Sequence, residues 1–568
     1  MGKVIVIGLD GATFELIKPW VKEGKLPNLA KLMQEGSYGE LKSTPEKISP
    51  AAWTSFSTGK NPGKHGIYHF TAMDTSALKL RVINATCRDG NPIWSYLSNA
   101  EKSVCVINVP FTFPADKVNG LMISGWDSPS IDSAGFTYPA NLLDELLEKF
   151  KEFPITPTIK KYTTDSHPDL AIGDIHHLLD FRTMLSRYLQ KKNKWDFFIT
   201  VYTATDEVQH HFWHHMDKRH MLYNPDKARL YGSAIFDVYQ KCDQAVGELL
   251  TDADEDTTIV IMSDHGATIN SLGVIYLPLW LHQLGLAKRM NILKDFIRSP
   301  SIKNGKNIFR RIKGMLYFQI SSLLSDKSKQ FLKRLLGGKR SGFEAVSEFE
   351  LSKYDWLQTR AYEAGPNIRI NLKGREIHGI VSPGEEYEKL RDYIIAKLHE
   401  SRDMVTGKKI VTNVYKREDV YHGKHVEDAP DLIVDWAADF VIRGISCLNG
   451  NGEHVKIKSL GLYRGLWSGE HSNYGIFIAK GPHIKKGNEL KDAEIIDITP
   501  SLLYLMGLPI PEDMDGKVLT HIFEENFVQK KPVGYTQADD SGADIPGDSY
   551  TDEEARKVEE RLKNLGYL

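Results

Sequence analysis

Short apolar, β-branched runs alternate along this chain with longer stretches of helical periodicity. VIVIG, SVCVINV, DFFITVY, TIVIMS, LIVDW and YGIFIA read as buried strands. LPNLAKLMQEG, NLLDELLEKF and ARLYGSAIFDVYQKCDQAVGELL lie between them and repeat their apolar residues at helical spacing. That alternation predicts a largely parallel sheet flanked by helices. In such sheets ligands bind beyond the carboxyl ends of the strands. Three acids stand at such ends: Asp10 after VIVIG, Asp206 shortly after FFITVY, and Asp264 after TIVIM.

The pattern changes from 286 to 340. Here about fifteen Lys and Arg face two Asp, and IFRRIKGMLYFQI repeats at helical spacing. This predicts a basic helical insert over 286–345, capping a core built from 1–285 and 346–528. A polar linker and a helix opened by the capping box Thr551/Glu554 follow over 529–568. The insert reads as a solvated helical face, a funnel for an anionic substrate, or a patch for peripheral membrane contact.

With 568 residues, 41% hydrophobic and 26% charged, the composition is that of a globular protein with ample core. A net charge of −2 gives no sign of a nucleic-acid partner. Four scattered cysteines form no CxxC, so neither a zinc knuckle nor a disulfide framework is expected. No run approaches the length of a spanning helix, and MGKVIVIGLDG is not built like a secretory signal, so a cytoplasmic location is expected.

Candidate chemistry gathers in a few segments. Asp206 and His210 are spaced i, i+4, which places both on one helix face. With His471 in GEHSNYG they would give one cation three ligands and leave positions open, as a catalytic site requires. Asp264-His265, adjacent after a strand, would hold a second cation with Asp10, and Ser49 in ISPAAWTSFSTGK would complete it. A serine hydroxyl on a cation becomes a nucleophile near neutral pH. Each part also has a plain structural reading: Asp10 as a turn former, Ser49 as a helix N-cap, and His211, His214 and His215 as rivals of His210.

As a set, these segments resemble the alkaline phosphatase superfamily, nearest its nucleotide pyrophosphatase/phosphodiesterase-like branch. GLDGATFELIKPWVKEGKLPNL, SPAAWTSFSTGKNPGKHGI, SDHG, EDAPDLIV and DITPSLLYLMGLPIPEDMDG stand in the family's order. The resemblance implies an α/β, three-layer αβα sandwich with a mostly parallel central sheet. It also implies one metal on Asp206, His210 and His471, and another on Asp10, Asp264, His265 and the nucleophile Ser49. Zinc is the expected ion, with manganese a fit to the carboxylates.

One departure stands out. The branch carries an asparagine three residues after the nucleophile, where this chain has Ala52, so a backbone N–H at the start of that helix is expected to contact the phosphate. Trp53 is expected in the wall of a leaving-group site. The expected activity is hydrolysis of a phosphodiester, pyrophosphate or phosphomonoester, in a phosphorylated small molecule or lipid-linked substrate, through a Ser49 phosphoserine. A phosphomutase or phosphotransferase with the same intermediate is the alternative. A non-catalytic metal-stabilised protein docked to anionic membranes is a third reading.

Overall fold

The computed structural model of the chain describes residues 2–157, 167–270, 277–288, 354–438, 440–458, 467–538 and 550–565. Nearly all of the basic insert, like most of the linker before the last helix, lies outside them.

A nine-stranded sheet forms the centre. Its strands are β1 (Lys3–Leu9), β2 (Ser37–Lys42), β3 (Val104–Val109), β4 (Gly120–Ser124), β5 (Thr137–Tyr138), β6 (Phe197–Tyr202), β7 (Thr257–Met262) and two from the second half of the chain. Between those two groups come β8 (Gly266–Ile269) and a separate antiparallel sheet of β9 (Ala361–Ala364), β10 (Asn367–Ile370), β11 (Val411–Lys416) and β12 (Leu432–Trp436). Then β13 (Gly469–Ser472) pairs with β8, while β14 (Tyr474–Lys480) and β15 (Asn488–Glu494) return to the main sheet. The main order is β15-β2-β14-β7-β1-β6-β3-β4-β5. The block β7-β1-β6-β3-β4 is parallel; β14 and β5 run against their neighbours.

Alternation in β1 shows why the sheet carries helices on both faces. Ile5, Ile7 and Leu9 point into one apolar layer, packed on the helices Phe14–Lys22 and Ala234–Leu250. Val4 and Val6 point into the other, with Trp53, Phe56, Trp94 and Leu502. Burying both faces removes the polar alternation of a half-exposed strand, which is why these runs read as continuously apolar. The result is the expected α/β three-layer sandwich with a mostly parallel central sheet.

Two sequence expectations need correcting. LIVDW is a buried strand, but as β12 it belongs to the separate antiparallel sheet beneath the helix Glu385–Glu400. A short apolar run reflects burial and does not say which strands it pairs with. The stretch ARLYGSAIFDVYQKCDQAVGELL is two helices, Pro225–Tyr231 and Ala234–Leu250, divided at Gly232-Ser233. No helix among the described residues is long and apolar enough to cross a membrane.

Candidate metal centre and nucleophile

Three neighbouring parallel strands, β6, β1 and β7, end on the same edge of the sheet. Asp10 leaves β1, Asp264 leaves β7, and Asp206 sits in the first turn of α1 (Ala204–Met216), which follows β6. The i, i+4 expectation holds: the Asp206 and His210 side chains lie side by side, with His210 Nε2 3.1 Å from Asp206 Oδ1. His471 arrives by strand pairing. In the β8–β13 ladder it stands opposite Ala267, so the strand after Asp264-His265 carries it back to them.

The histidine orientations are set by backbone. His210 Nδ1–H donates to Gly469 O (3.0 Å), His265 Nδ1–H to Gly266 O (3.0 Å), and His471 Nδ1–H to Lys47 O. A proton fixed on Nδ1 leaves the Nε2 lone pair to face the cluster, the tautomer of a metal-ligating imidazole. His210 Nε2 and His471 Nε2 lie 3.0 Å apart, both directed at Asp206.

Two groups of ligand atoms result: Asp206, His210 and His471; and Asp10, Asp206 and His265, each within 4.8 Å of one another. Asp206 belongs to both. Asp264 Oδ2 is 3.2 Å from His265 Nε2, and its Oδ1 accepts from Gly11 N–H.

Apart from the half-buried His471, all these side chains are buried, and the electrostatics follow from that. Burial first, then the facing carboxylates of Asp264 and Asp206, push the Asp10 carboxyl well above its usual range. Burial acts the same way on Asp206, but His210 and His471 outweigh it and hold this carboxyl well below the usual range. Burial disfavours charge on His471, yet Asp206, then Glu470 and Asp264, raise it to about 9. Asp10 Oδ1, Asp264 Oδ2 and His265 Nε2 are buried without hydrogen-bond partners among the described residues. Buried acceptors crowded in this way are stabilised by a cation placed among them. Mixed carboxylate and imidazole donors suit zinc and also accept manganese. The donor set fits divalent cations.

Ser49 opens the helix Ser49–Thr58, and the structure excludes it as a capping residue. The N-cap is Ile48, with no side-chain cap bond. Two contacts bracket the serine against the cluster: Lys47 O receives His471 Nδ1–H, and Trp53 Nε1–H donates to Asp10 Oδ2 at 3.1 Å.

Two expected substrate contacts are placed elsewhere. Trp53 is fully buried in the core and is a support for Asp10, not a wall of a leaving-group site. Gly8 makes room for it: a Cβ there would lie 2.6 Å from the indole. The Ala52 N–H is already committed to Ile48 O (3.0 Å), so it is not a phosphate donor. The first-turn N–H groups without an intrahelical acceptor are those of Ser49 and Ala51, because Pro50 has none.

Several supporting residues carry no motif of their own. Thr205 Oγ1 donates to Asp10 O and Gln209 Nε2 to Gly11 O, with Tyr239 donating to Gln209. Gly11 has φ +66°, and a Cβ there would meet Asp206 Oδ1 at 2.8 Å. Trp467 stacks on His210 with ring centres 3.6 Å apart. An aromatic four residues before His471 is the one signal the sequence offers for it.

Comparison with known proteins follows the same direction. The family model of type I phosphodiesterase / nucleotide pyrophosphatase matches residues 4–444. No curated protein sequence matches the chain. Among solved structures, human ectonucleotide pyrophosphatase/phosphodiesterase 5 aligns at 13% identity, covering 93% of this chain and 99% of its own, with TM-score 0.43. The murine protein aligns at 12% identity, 92% and 100% coverage and TM-score 0.44. An inactive form of the murine protein in complex with AMP gives 13%, 94% and 100%, and 0.44. The chain belongs to the type I phosphodiesterase/nucleotide pyrophosphatase family, and it is a phosphoric ester hydrolase of that type.

Proposed function

We propose that the enzyme cleaves phosphodiester or pyrophosphate bonds with Ser49 as the nucleophile, at two divalent cations held by the buried Asp/His cluster. The observation that carries this reading is the fixing of three imidazoles, each with Nδ1–H on a backbone carbonyl and Nε2 facing the carboxylates. Asp206, His210 and His471 would hold one cation; Asp10, Asp264 and His265 the other, with Asp206 between them and Ser49 beside it. When bound, the cations supply neutralisation of the phosphoryl oxygens and a lower proton affinity for a nearby hydroxyl.

The chain's own residues do the rest. Ser49 Oγ attacks phosphorus in line, the bond to the leaving oxygen breaks, and the phosphoryl group rests on Ser49 until water releases it. The Ser49 and Ala51 amides, at the positive end of their helix, face the charge on the phosphoryl group. Trp53 and the backbone contacts of Thr205 and Gln209 hold Asp10 and its turn in place, so little reorganisation is needed.

The test compares hydrolysis of bis-p-nitrophenyl phosphate with that of p-nitrophenyl phosphate, with zinc or manganese, for the wild type and Ser49→Ala. Diester turnover that falls by about a thousandfold or more in the variant, with metal content unchanged, supports the reading. Turnover of the monoester alone would replace it with a phosphatase or phosphotransferase.

A further inference from the structure

The proposed reaction centre is closed. Ser49 and Asp10 are each 1% exposed, and Asp264 and His265 are fully buried. The recess beside Asp10, Asp206 and His210 measures about 10 Å³, room for about one water molecule and far too little for a phosphate ester. Part of its lining comes from far along the chain: Leu565, the last residue of the helix Asp552–Leu565, stands there with Trp126 and Glu207.

The rest of that helix packs beside the recess. Val558, Leu562 and Leu565 pack in one apolar cluster with Ile48 and Ala51, which flank Ser49 at its helix start, and with Phe70, Phe111 and Trp126. Trp467, already stacked on His210, donates its indole N–H to Leu565 O at 2.6 Å. The Arg561 guanidinium spans the carbonyls of Trp126, Ser128 and Pro129. The helix therefore reaches both sides of the site: it shares an apolar cluster with Ile48 and Ala51 on one side, and on the other it holds Trp467, which stacks on His210.

The hold has the character of a separable one. DEEARKVEERLKNL is rich in charge, and its buried apolar side chains number only those few. Its first turn is closed on itself by the capping box, with Thr551 N–H donating to Glu554 and Glu554 N–H to Thr551 Oγ1. It adds no strand to the sheet and forms one edge of the apolar patch. Elements attached by few apolar contacts are the ones that open under native conditions.

We propose that the helix Asp552–Leu565 is a removable cover of the reaction centre, which swings out to admit substrate and whose last turn limits the size of the group beside the scissile bond. The proposal rests on the assignment of the buried Asp/His cluster as that centre. Opening breaks the Arg561 and Trp467 hydrogen bonds, withdraws Leu565 from the recess, and leaves the catalytic fold intact. Gating of this kind excludes water while the phosphoryl group is being transferred.

The test uses the full-length zinc-loaded enzyme and Leu562→Asp, which puts a charge into the buried face of the helix. Hydrogen exchange over 552–565 verifies release of the helix. Two readouts follow: the rate of zinc transfer to a chelator, and kcat/KM for bis-p-nitrophenyl phosphate relative to the smaller methyl p-nitrophenyl phosphate. The cover predicts zinc transfer faster by about tenfold or more and a ratio shifted toward the larger diester. If the helix is released and the substrate ratio is unchanged, the proposal is overturned, whatever happens to zinc. If zinc transfers faster while neither protein cleaves either ester, the cover stands and the phosphodiesterase reading fails. Should Leu562→Asp not fold, Arg561→Ala loosens the same contact without burying a charge and carries the same comparison.

Discussion

Two buried charged clusters in this protein are built on opposite plans. Beneath the helix Glu385–Glu400, Asp431 accepts from Arg375 through both guanidinium ends (2.8 and 2.7 Å), from Tyr387 and from Ile370 N–H. Glu376 beside it accepts from Arg375, Tyr362 and Leu372 N–H, and Arg417 closes on Asp431 at 3.5 Å. Burial would raise the Asp431 carboxyl, but Arg375 outweighs it and holds it below the usual range. At the sheet edge, by contrast, Asp10, Asp206 and Asp264 face three imidazoles, and buried oxygens of Asp10 and Asp264 have no hydrogen-bond partner among the described residues. The first cluster carries its counter-charge in the sequence as arginine. The second has no arginine or lysine partner among the described residues. In the proposed function its counter-charge is the pair of cations taken from solution, which would separate a structural ion network from a catalytic site.

This contrast is most sharply broken by Asp431→Ala. Removing Asp431 takes the bidentate carboxylate from Arg375 and leaves its charge only partly compensated by Glu376. The variant should therefore lose about 3 kcal/mol in urea unfolding, equally with and without added metal. Added zinc should act only on the other cluster. At a hundred times its dissociation constant it should stabilise the wild type by about 2.7 kcal/mol for each of the two sites. Asp206→Asn, which removes a donor common to both ligand groups, should lose most of that gain. Without metal it also loses the Asp206 pairing with His210 and His471. Because an imidazole can shed its proton and Arg375 cannot, that fall should be smaller than the one for Asp431→Ala. A fall in metal-free stability as large as that of Asp431→Ala would make Asp206 structural and erase the distinction.

The smallest expected effect comes from Glu46, which sits between the two regions. Its carboxylate accepts from Asn367 and Tyr421, while the backbone carbonyl of the next residue, Lys47, accepts the hydrogen bond from His471 Nδ1–H. Burial pushes Glu46 up to about 7, with Asn367 and Tyr421 opposing. A raised carboxyl favours the neutral form in the fold, so its contribution is full below the unfolded value near 4.5 and is lost as pH rises through about 7. Glu46→Gln should match the wild type in stability at pH 4.5 and exceed it at pH 8. Because Glu46 is only half-buried, the difference is about 1–2 kcal/mol, read by urea unfolding at both pH values.

Much of this is legible in the amino-acid sequence, and the reasons are local. Strand runs ending in Asp10 and Asp264 mark the edge because chemistry in a parallel sheet gathers at strand ends. Asp206 and His210 announce themselves by helical spacing. The joining of His471 to them depends on the β8–β13 register, which no local pattern encodes. EDAPDLIV is a visible motif to which the sequence assigns no role. Its Asp431 lies fully buried because Arg375, Tyr387 and Ile370 N–H satisfy its carboxylate, and those partners are too distant in sequence for a local pattern to show. Position along a helix suggests substrate contacts for Trp53 and Ala52. Their true roles depend on Gly8 making room for an indole and on which N–H the helix itself consumes. The last helix is marked by its capping box, but its packing in one apolar cluster with Ile48 and Ala51, far away in sequence, is a long-range fact.

Calorimetric titration of the metal-free protein with zinc, wild type beside Asp206→Asn, tests the central claim most directly. The account predicts that the wild type takes up about two equivalents with release of heat absent from the unfolded chain, and that the variant loses tight binding at both positions. Equal uptake by the two proteins, or none by either, would contradict it.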